Sequence, residues 1–360
     1  MDSALLLALM NLQGNSWHTF TVGYGASFAD DELSDAAQTA SIFASKHTEV
    51  LLDRQTFEES LPRVVEFMEE PVATPSVLPM FFVCERARRD VKVALIGQGP
   101  DELFGGYRRH IGVRYGQLWG GLPRWVRSPI SSLVEALPRN ETLKRGVRSL
   151  DTPERLRRYQ GVLSLLPGDQ INGLFKNDLL SPEAGDEVLG AWGEFSELMS
   201  ETDELGGLEF IELRSTLPDE LLMYADKLSM AHSLEARVPY LDREVVEYGE
   251  RLPANLKVRN GSGKWLHREV CKAFLPPAIL QRRKRGFAMS VVDEWFRAAQ
   301  SQKMDAMLLD PQSRLFDYLQ PSAVSRLLDQ HRSGAHDHHK ILFSLVVLEE
   351  WLRASFVPTA

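Results

Sequence analysis

Along the first hundred residues the apolar positions switch repeatedly between the two-residue period of a strand and the 3.6-residue period of a helix. Residues 4–10 form an apolar run behind Asp2-Ser3, the pattern of the first turns of a buried helix. In 17–24, Phe20 and Val22 alternate with Thr19 and Thr21 and Gly23 ends the run, so a strand and turn are expected. A helix should run from Asp30-Asp31-Glu32 to about Lys46, a strand over 47–52, and an amphipathic helix over 57–68. A proline-punctuated loop, 69–76, precedes a helix over 80–89. Residues 91–96 are apolar apart from Lys92 and read as a buried strand of a parallel sheet. Alternation of this kind predicts an α/β fold with a doubly wound parallel sheet.

Beyond Gly112 the pattern changes. Prolines at 123, 129, 138, 153, 167 and 182 and arginine-rich helical pieces replace the alternation up to about Gly207. The expected division is an α/β core over 1–111 and a mainly helical lobe over 112–360. Apolar residues recur at helical spacing over 208–228, and 341–351 read as a core helix.

At 360 residues the chain can bury a large core, and 44% hydrophobic with 25% charged residues is the composition of a soluble globular protein. A net charge of −9 argues against nucleic acid as the main partner. Cys84 and Cys271 are far apart and suggest neither a disulfide framework nor a CxxC site, which fits a reducing cytoplasm. The apolar run 4–10 is too short to span a bilayer.

Chemistry concentrates after the run 91–96. Gly97 and Gly99 let backbone N–H groups approach phosphate oxygens, and Asp101-Glu102 can hold a hard cation such as Mg²⁺ just beyond the strand's carboxyl end. Lys264, presented by Gly261 and Gly263 at a helix start, can reach a triphosphate. Asp226, Lys227, Glu235 and Arg237 stand among core-type residues, where charges are paired with one another or serve a ligand. Arg108-Arg109-His110 and 155–158 read as solvated helix faces, and His336, His338 and His339 as a solvated loop rather than a zinc cluster.

The run Val91-Lys-Val-Ala-Leu-Ile-Gly-Gln-Gly-Pro-Asp-Glu-Leu-Phe-Gly-Gly-Tyr107 resembles the loop S-G-E-G-x-D-E-L-F-G-G-Y of the asparagine synthetases, with Ile96 for the serine and Gln98 for the glutamate. Asp2-Ser3 match the end of that family's pyrophosphate loop S-G-G-x-D-S, and 19–24 its T-F-S-I-G-F strand. The segment 221–242 is similar to L-L-x-x-x-D-K-x-S-M-A-x-x-x-E-x-R-V-P-F-L-D. Gly263-Lys264 resembles the start of G-K-x-x-L-R-E, 282–287 R-x-K-x-G-F, and the closing residues L-x-x-L-E-x-W.

The resemblance implies the ATP-pyrophosphatase, adenine nucleotide alpha hydrolase-like form of the doubly wound sheet. It implies ATP and Mg²⁺ as cofactors and an amide ligase that converts aspartate and ammonia to asparagine through β-aspartyl-AMP. Residue by residue, it gives Asp2 and Asp101 to the metal, with Lys264 and Gln98 as catalytic positions. Ser3, Val22, Gly23, Ile96, Gly97, Gly99 and Glu102 go to ATP and pyrophosphate, and Asp226, Lys227, Glu235 and Arg237 support the substrate site. Partners implied are small molecules, a separate glutaminase domain or subunit, and a second copy in a homodimer, with no nucleic acid and no membrane. The glutaminase domain and the first part of the pyrophosphate loop are not in this sequence, and Gln98 cannot take a proton as a glutamate could. Impaired synthesis is therefore expected. The alternatives are a related AMP-forming ligase with another acceptor, of the lasso-peptide cyclase or β-lactam synthetase type, and a non-catalytic remnant.

Overall fold

The computed structural model describes residues 1–25, 31–176, 179–180, 184–282, 289–298 and 302–355. Its first elements follow the periodicity closely: α1 (Asp2–Asn11), β1 (His18–Gly23), α2 (Leu33–Ile42), β2 (Lys46–Leu51), α3 (Arg54–Met68), α4 (Val77–Arg88), β3 (Val93–Leu95) and α5 (Pro100–Leu103). Helix α3 shows why. The Asp53 side chain accepts the Thr56 N–H at 2.7 Å and caps the start, and Glu69 in the left-handed conformation closes the end. Between them Phe57, Leu61, Val64, Val65 and Met68 fall on one buried face.

The chain divides into two units. One comprises Met1–Gly106 with Leu213–Val292, the other Tyr107–Glu212 with Asp293–Ala360. The expected division at 111/112 differs from this, because residues 213–292 group with the first segment. The physical link is a further strand, β4 (Glu235–Arg237), which pairs in parallel with β3 in the register Val93↔Glu235.

Within the first unit the fold is α/β with parallel strands. Among the described residues the strands form two parallel pairs, β1 with β2 and β3 with β4. The run 91–96 shortens to three paired residues, and the expected burial does not hold: Val93 is 50% and Leu95 41% exposed. Both line a cavity that β1 also lines, so this apolar strand faces open space there. Helix α1 packs Ala4, Leu5 and Ala8 against Tyr240, Cys271, Leu275 and Ile279, which fixes its N-terminus beside the helix Trp265–Cys271. The helix expected over 208–228 is broken into Glu204–Arg214, a π-helical Leu217–Leu222 and Met223–Met230. Pro218, which lacks an N–H, sits at the start of the π segment.

Among the described residues the second unit is helical apart from an isolated bridge, with Val113, Tyr159, Val162, Met199, Leu208 and Ile211 in one core cluster. Two expectations change here. Arg109 and His110 do not form a solvated face: they bond the fully buried Glu212 carboxylate at 2.5 and 2.7 Å. His338 is buried and bonded to Gln330, and His339 opens the closing helix His339–Ser355. No helix among the described residues is long and apolar enough to cross a membrane. Both cysteines are free and buried, and burial pushes their thiols up, to about 12 for Cys84 and about 11 for Cys271.

Candidate active site

Three loops of the first unit converge through glycines. Lys264 caps the helix Trp265–Cys271 in a left-handed conformation (φ 53°), and its N–H donates to the Phe104 carbonyl at 3.0 Å. A Cβ on Gly263 would stand 2.3 Å from the Gly105 carbonyl oxygen, and one on Gly106 would stand 1.9 Å from Asp101 Oδ1 and 2.4 Å from Lys264 Cε. Only backbone without side chains lets these loops approach so closely. A third approach brings α1 to the end of β3, where a Cβ on Gly97 would lie 2.7 Å from Ser3 Oγ and 2.9 Å from Ser3 N.

The result is a triad of charges. Lys264 Nζ donates to Asp2 Oδ2 at 2.8 Å and lies 3.0 Å from Asp101 Oδ1. Since both legs meet at one nitrogen, the two carboxylate oxygens lie within about 6 Å of each other. Burial acts to raise the Asp2 carboxyl, but the hydrogen bond with His267 and the charge and hydrogen bond of Lys264 hold it well below the usual carboxylate range. Burial likewise acts to lower the Lys264 ammonium, and the Asp2 and Asp101 charges more than reverse this, raising it. The lysine is therefore held charged although its side chain is only 5% exposed.

His267 belongs to this centre. Its Nε2 lies 3.0 Å from Asp2 Oδ1, and its ring stacks on Phe104 at 5.4 Å and meets the Tyr240 ring edge-on. Tyr240 Oη in turn donates to the Asp2 carbonyl at 2.9 Å. The sequence signal for His267 was its spacing, three residues after Lys264 and so on the same side of one helix.

Asp2, Ser3, Val22, Ile96, Gly97, Asp101 and Lys264 all line one cavity of about 980 Å³. Beside it, Gly23 admits Asp31, whose carboxylate accepts the Tyr24 and Gly25 N–H groups at 2.6 and 2.9 Å. Gly99 turns the chain at φ 105° against Leu241, and Glu102 is buried in α5. Gln98 Nε2 donates to Tyr224 Oη at 3.2 Å, while its Oε1 is buried with no hydrogen-bond partner among the described residues.

Four sequence candidates lie elsewhere. Asp226 is exposed, and Lys227 bonds the surface carboxylate of Glu69 at 2.6 Å. Glu235 and Arg237 are exposed and pair with each other. They look embedded in the sequence because their neighbours are apolar, but strand alternation turns Leu234 and Ala236 to the cavity and the two charges away. Of the basic run 282–287, Arg282 bonds Thr39 and Gln38, and 283–287 lie outside the described residues.

Comparison with known proteins gives the family. The chain is 30% identical over 98% of its length to a Mycobacterium tuberculosis protein provisionally named as a glutamine-hydrolysing asparagine synthetase, covering 53% of that protein. It is 26% identical over 98% of its length to a Bacillus subtilis asparagine synthetase, covering 54%, and 31% identical over 40% to one from Gallus gallus, covering 27%. The chain thus spans about half the length of the first two relatives. The asparagine synthase family profile matches residues 1–353, and the chain belongs to that family.

Proposed function

We propose that the chain carries the synthetase half-reactions of an ATP-dependent, AMP-forming amide ligase, with aspartate as the carboxylate substrate and ammonia as the nitrogen donor. The observation that supports this reading is the Lys264 ammonium clasped between Asp2 and Asp101 at the wall of a nucleotide-sized cavity. In the first half-reaction a carboxylate oxygen of aspartate attacks the α-phosphorus of ATP, and pyrophosphate leaves with the electrons of the broken P–O bond. Ammonia then attacks the acyl carbon of β-aspartyl-AMP, AMP leaves, and a proton is released with the amide.

The residues take these roles. Val22 and Gly23 receive the adenine, and Ser3, Ile96, Gly97 and Gly99 face the phosphates, with Glu102 buried behind the loop. Lys264, held charged by its two carboxylate neighbours, stabilises the charge that develops on the leaving pyrophosphate. Asp2 and Asp101 offer partly exposed carboxylates, and carboxylate oxygens are the ligands a hard divalent cation takes. Mg²⁺ held by these two residues would neutralise phosphate oxygens as a Lewis acid. The test is aspartate-dependent exchange of pyrophosphate into ATP. Lys264→Met should lower the exchange by about 10²-fold or more. Exchange that is independent of aspartate, or unchanged in the variant, would overturn the assignment.

Gln98 favours a second reading, a related AMP-forming ligase with an amine acceptor. An amide cannot remove a proton, but its unpartnered, buried Oε1 can accept a hydrogen bond from an amine. Under the first reading Gln98→Glu speeds ammonia-dependent amide formation. Under the second it slows the reaction with the true acceptor.

A further inference from the structure

The second unit holds a separate polar cavity of about 180 Å³, formed between the segment 138–145 and the residues around Asp337. This is smaller than the roughly 300–1,000 Å³ that drug- and nucleotide-sized ligands occupy. Its charges are not balanced internally. Arg145 is half-buried, and its electrostatic neighbours are Arg109, which disfavours its charge, and Glu141. Among the described residues its guanidinium makes no hydrogen bond or ion pair, and neither does that of Arg108, which stands exposed at the rim. Arg139 is different, being committed to Asp293 at 2.5 Å and Asp337 at 3.7 Å.

One turn before Arg145, on the same helix Glu141–Leu150, Glu141 brings a carboxylate to the cavity. Glu141 uses Oε1 for Lys144 at 3.2 Å and His336 at 2.9 Å, but its Oε2 is buried and has no hydrogen-bond partner among the described residues. Burial opposes its charge, yet the bonds with His336 and Lys144 hold the carboxyl below the usual range, so it is ionised at neutral pH. Leu165 and Ile341 supply apolar wall. A phosphate dianion would suit the guanidiniums but would meet the Glu141 carboxylate with like charge and no donor. A zwitterion meets both.

We propose that this cavity binds a free aliphatic α-amino acid, its carboxylate on Arg145 and Arg108, its ammonium on Glu141 Oε2, and its side chain against Leu165 and Ile341. The site shares no lining residue with the Lys264 cavity and does not depend on the ligase reading.

The test is isothermal titration of the whole chain with L-alanine, L-valine and L-leucine. At least one should bind saturably with Kd below about 1 mM. Isobutylamine and isovalerate, which lack the carboxylate and the ammonium of valine, should each bind at least tenfold more weakly. Arg145→Gln, which has no bond to lose on folding, should weaken amino-acid binding at least tenfold, and Arg108→Gln repeats the test from a second element. Leu95→Thr, in the wall of the other cavity, should leave it unchanged. No saturable binding by any of the three amino acids, equal binding by inorganic phosphate, undiminished binding in Arg145→Gln, or loss of binding in Leu95→Thr would each overturn the proposal.

Discussion

Gly106 decides whether the charge triad can form. Any side chain there would need the space held by Asp101 Oδ1 and Lys264 Cε, both far inside contact distance of a Cβ. Gly106→Ala should therefore push Lys264 off its two carboxylates and abolish ATP–pyrophosphate exchange while the far-UV circular dichroism stays that of the parent. Lys264→Met does the complementary damage, leaving two carboxylates close together without their cation, and should destabilise the chain by about 3–5 kcal/mol near neutral pH by urea denaturation. The pH dependence follows from Asp2, whose folded carboxyl is held below its ordinary 3.8. A depressed carboxyl contributes stability above its unfolded value, and that contribution is lost as pH falls through the folded one. The parent should lose stability between about pH 4 and pH 2, and Lys264→Met should lose less over the same window. At this scale Asp2, Asp101 and Lys264 were legible because each stands in a multi-residue signature. Tyr240 and Tyr224 were not, since a lone polar ring in a sequence carries no sign of what it will touch, and His267 offered only its spacing from Lys264.

Among the elements, apolar positions at helical spacing predict α3 over 57–68, and it spans Arg54–Met68. Its start lies three residues earlier, behind the Asp53 cap that the apolar pattern does not mark. Strand β3 was found but misjudged. Its run of apolar residues resembles a strand covered on both faces, yet Val93 and Leu95 are largely uncovered. The consequence is measurable. Leu95→Thr should change stability by no more than about 0.5 kcal/mol, as a surface substitution does, whereas Phe57→Ala in α3 should cost about 3–5 kcal/mol. Equal losses in the two variants would show that β3 is buried. The π-helical turn before Tyr224 escaped the reading because Pro218 looks, in sequence, like a simple break.

For the molecule as a whole, the α/β class and the helical character of the second unit could be read from the alternation and its loss. The discontinuity could not, because β4 is three residues long and its pairing with β3 joins positions more than 140 apart in the chain. The first unit is therefore incomplete without residues 213–292. A fragment of residues 1–111, the division expected from the sequence, should not fold alone: it lacks β4, Lys264 and the Cys271–Ile279 side of the core under α1. Circular dichroism and amide dispersion by NMR would check this, and a cooperative thermal transition in the fragment would refute it.

The separation of Asp2 from Lys264 also sets a clock. A ribosome adding about 5–20 residues per second needs roughly ten to thirty seconds to travel from Gly106 to Lys264. Through that interval the growing chain already carries both aspartates, Gly97 and Gly106, but neither Gly263 nor the ammonium that reconciles the carboxylates. Until then each carboxylate is more stable in water than beside the other. The cluster of Asp2, Lys264 and Asp101 thus forms late, when all but the last 28 residues of the first unit have been made.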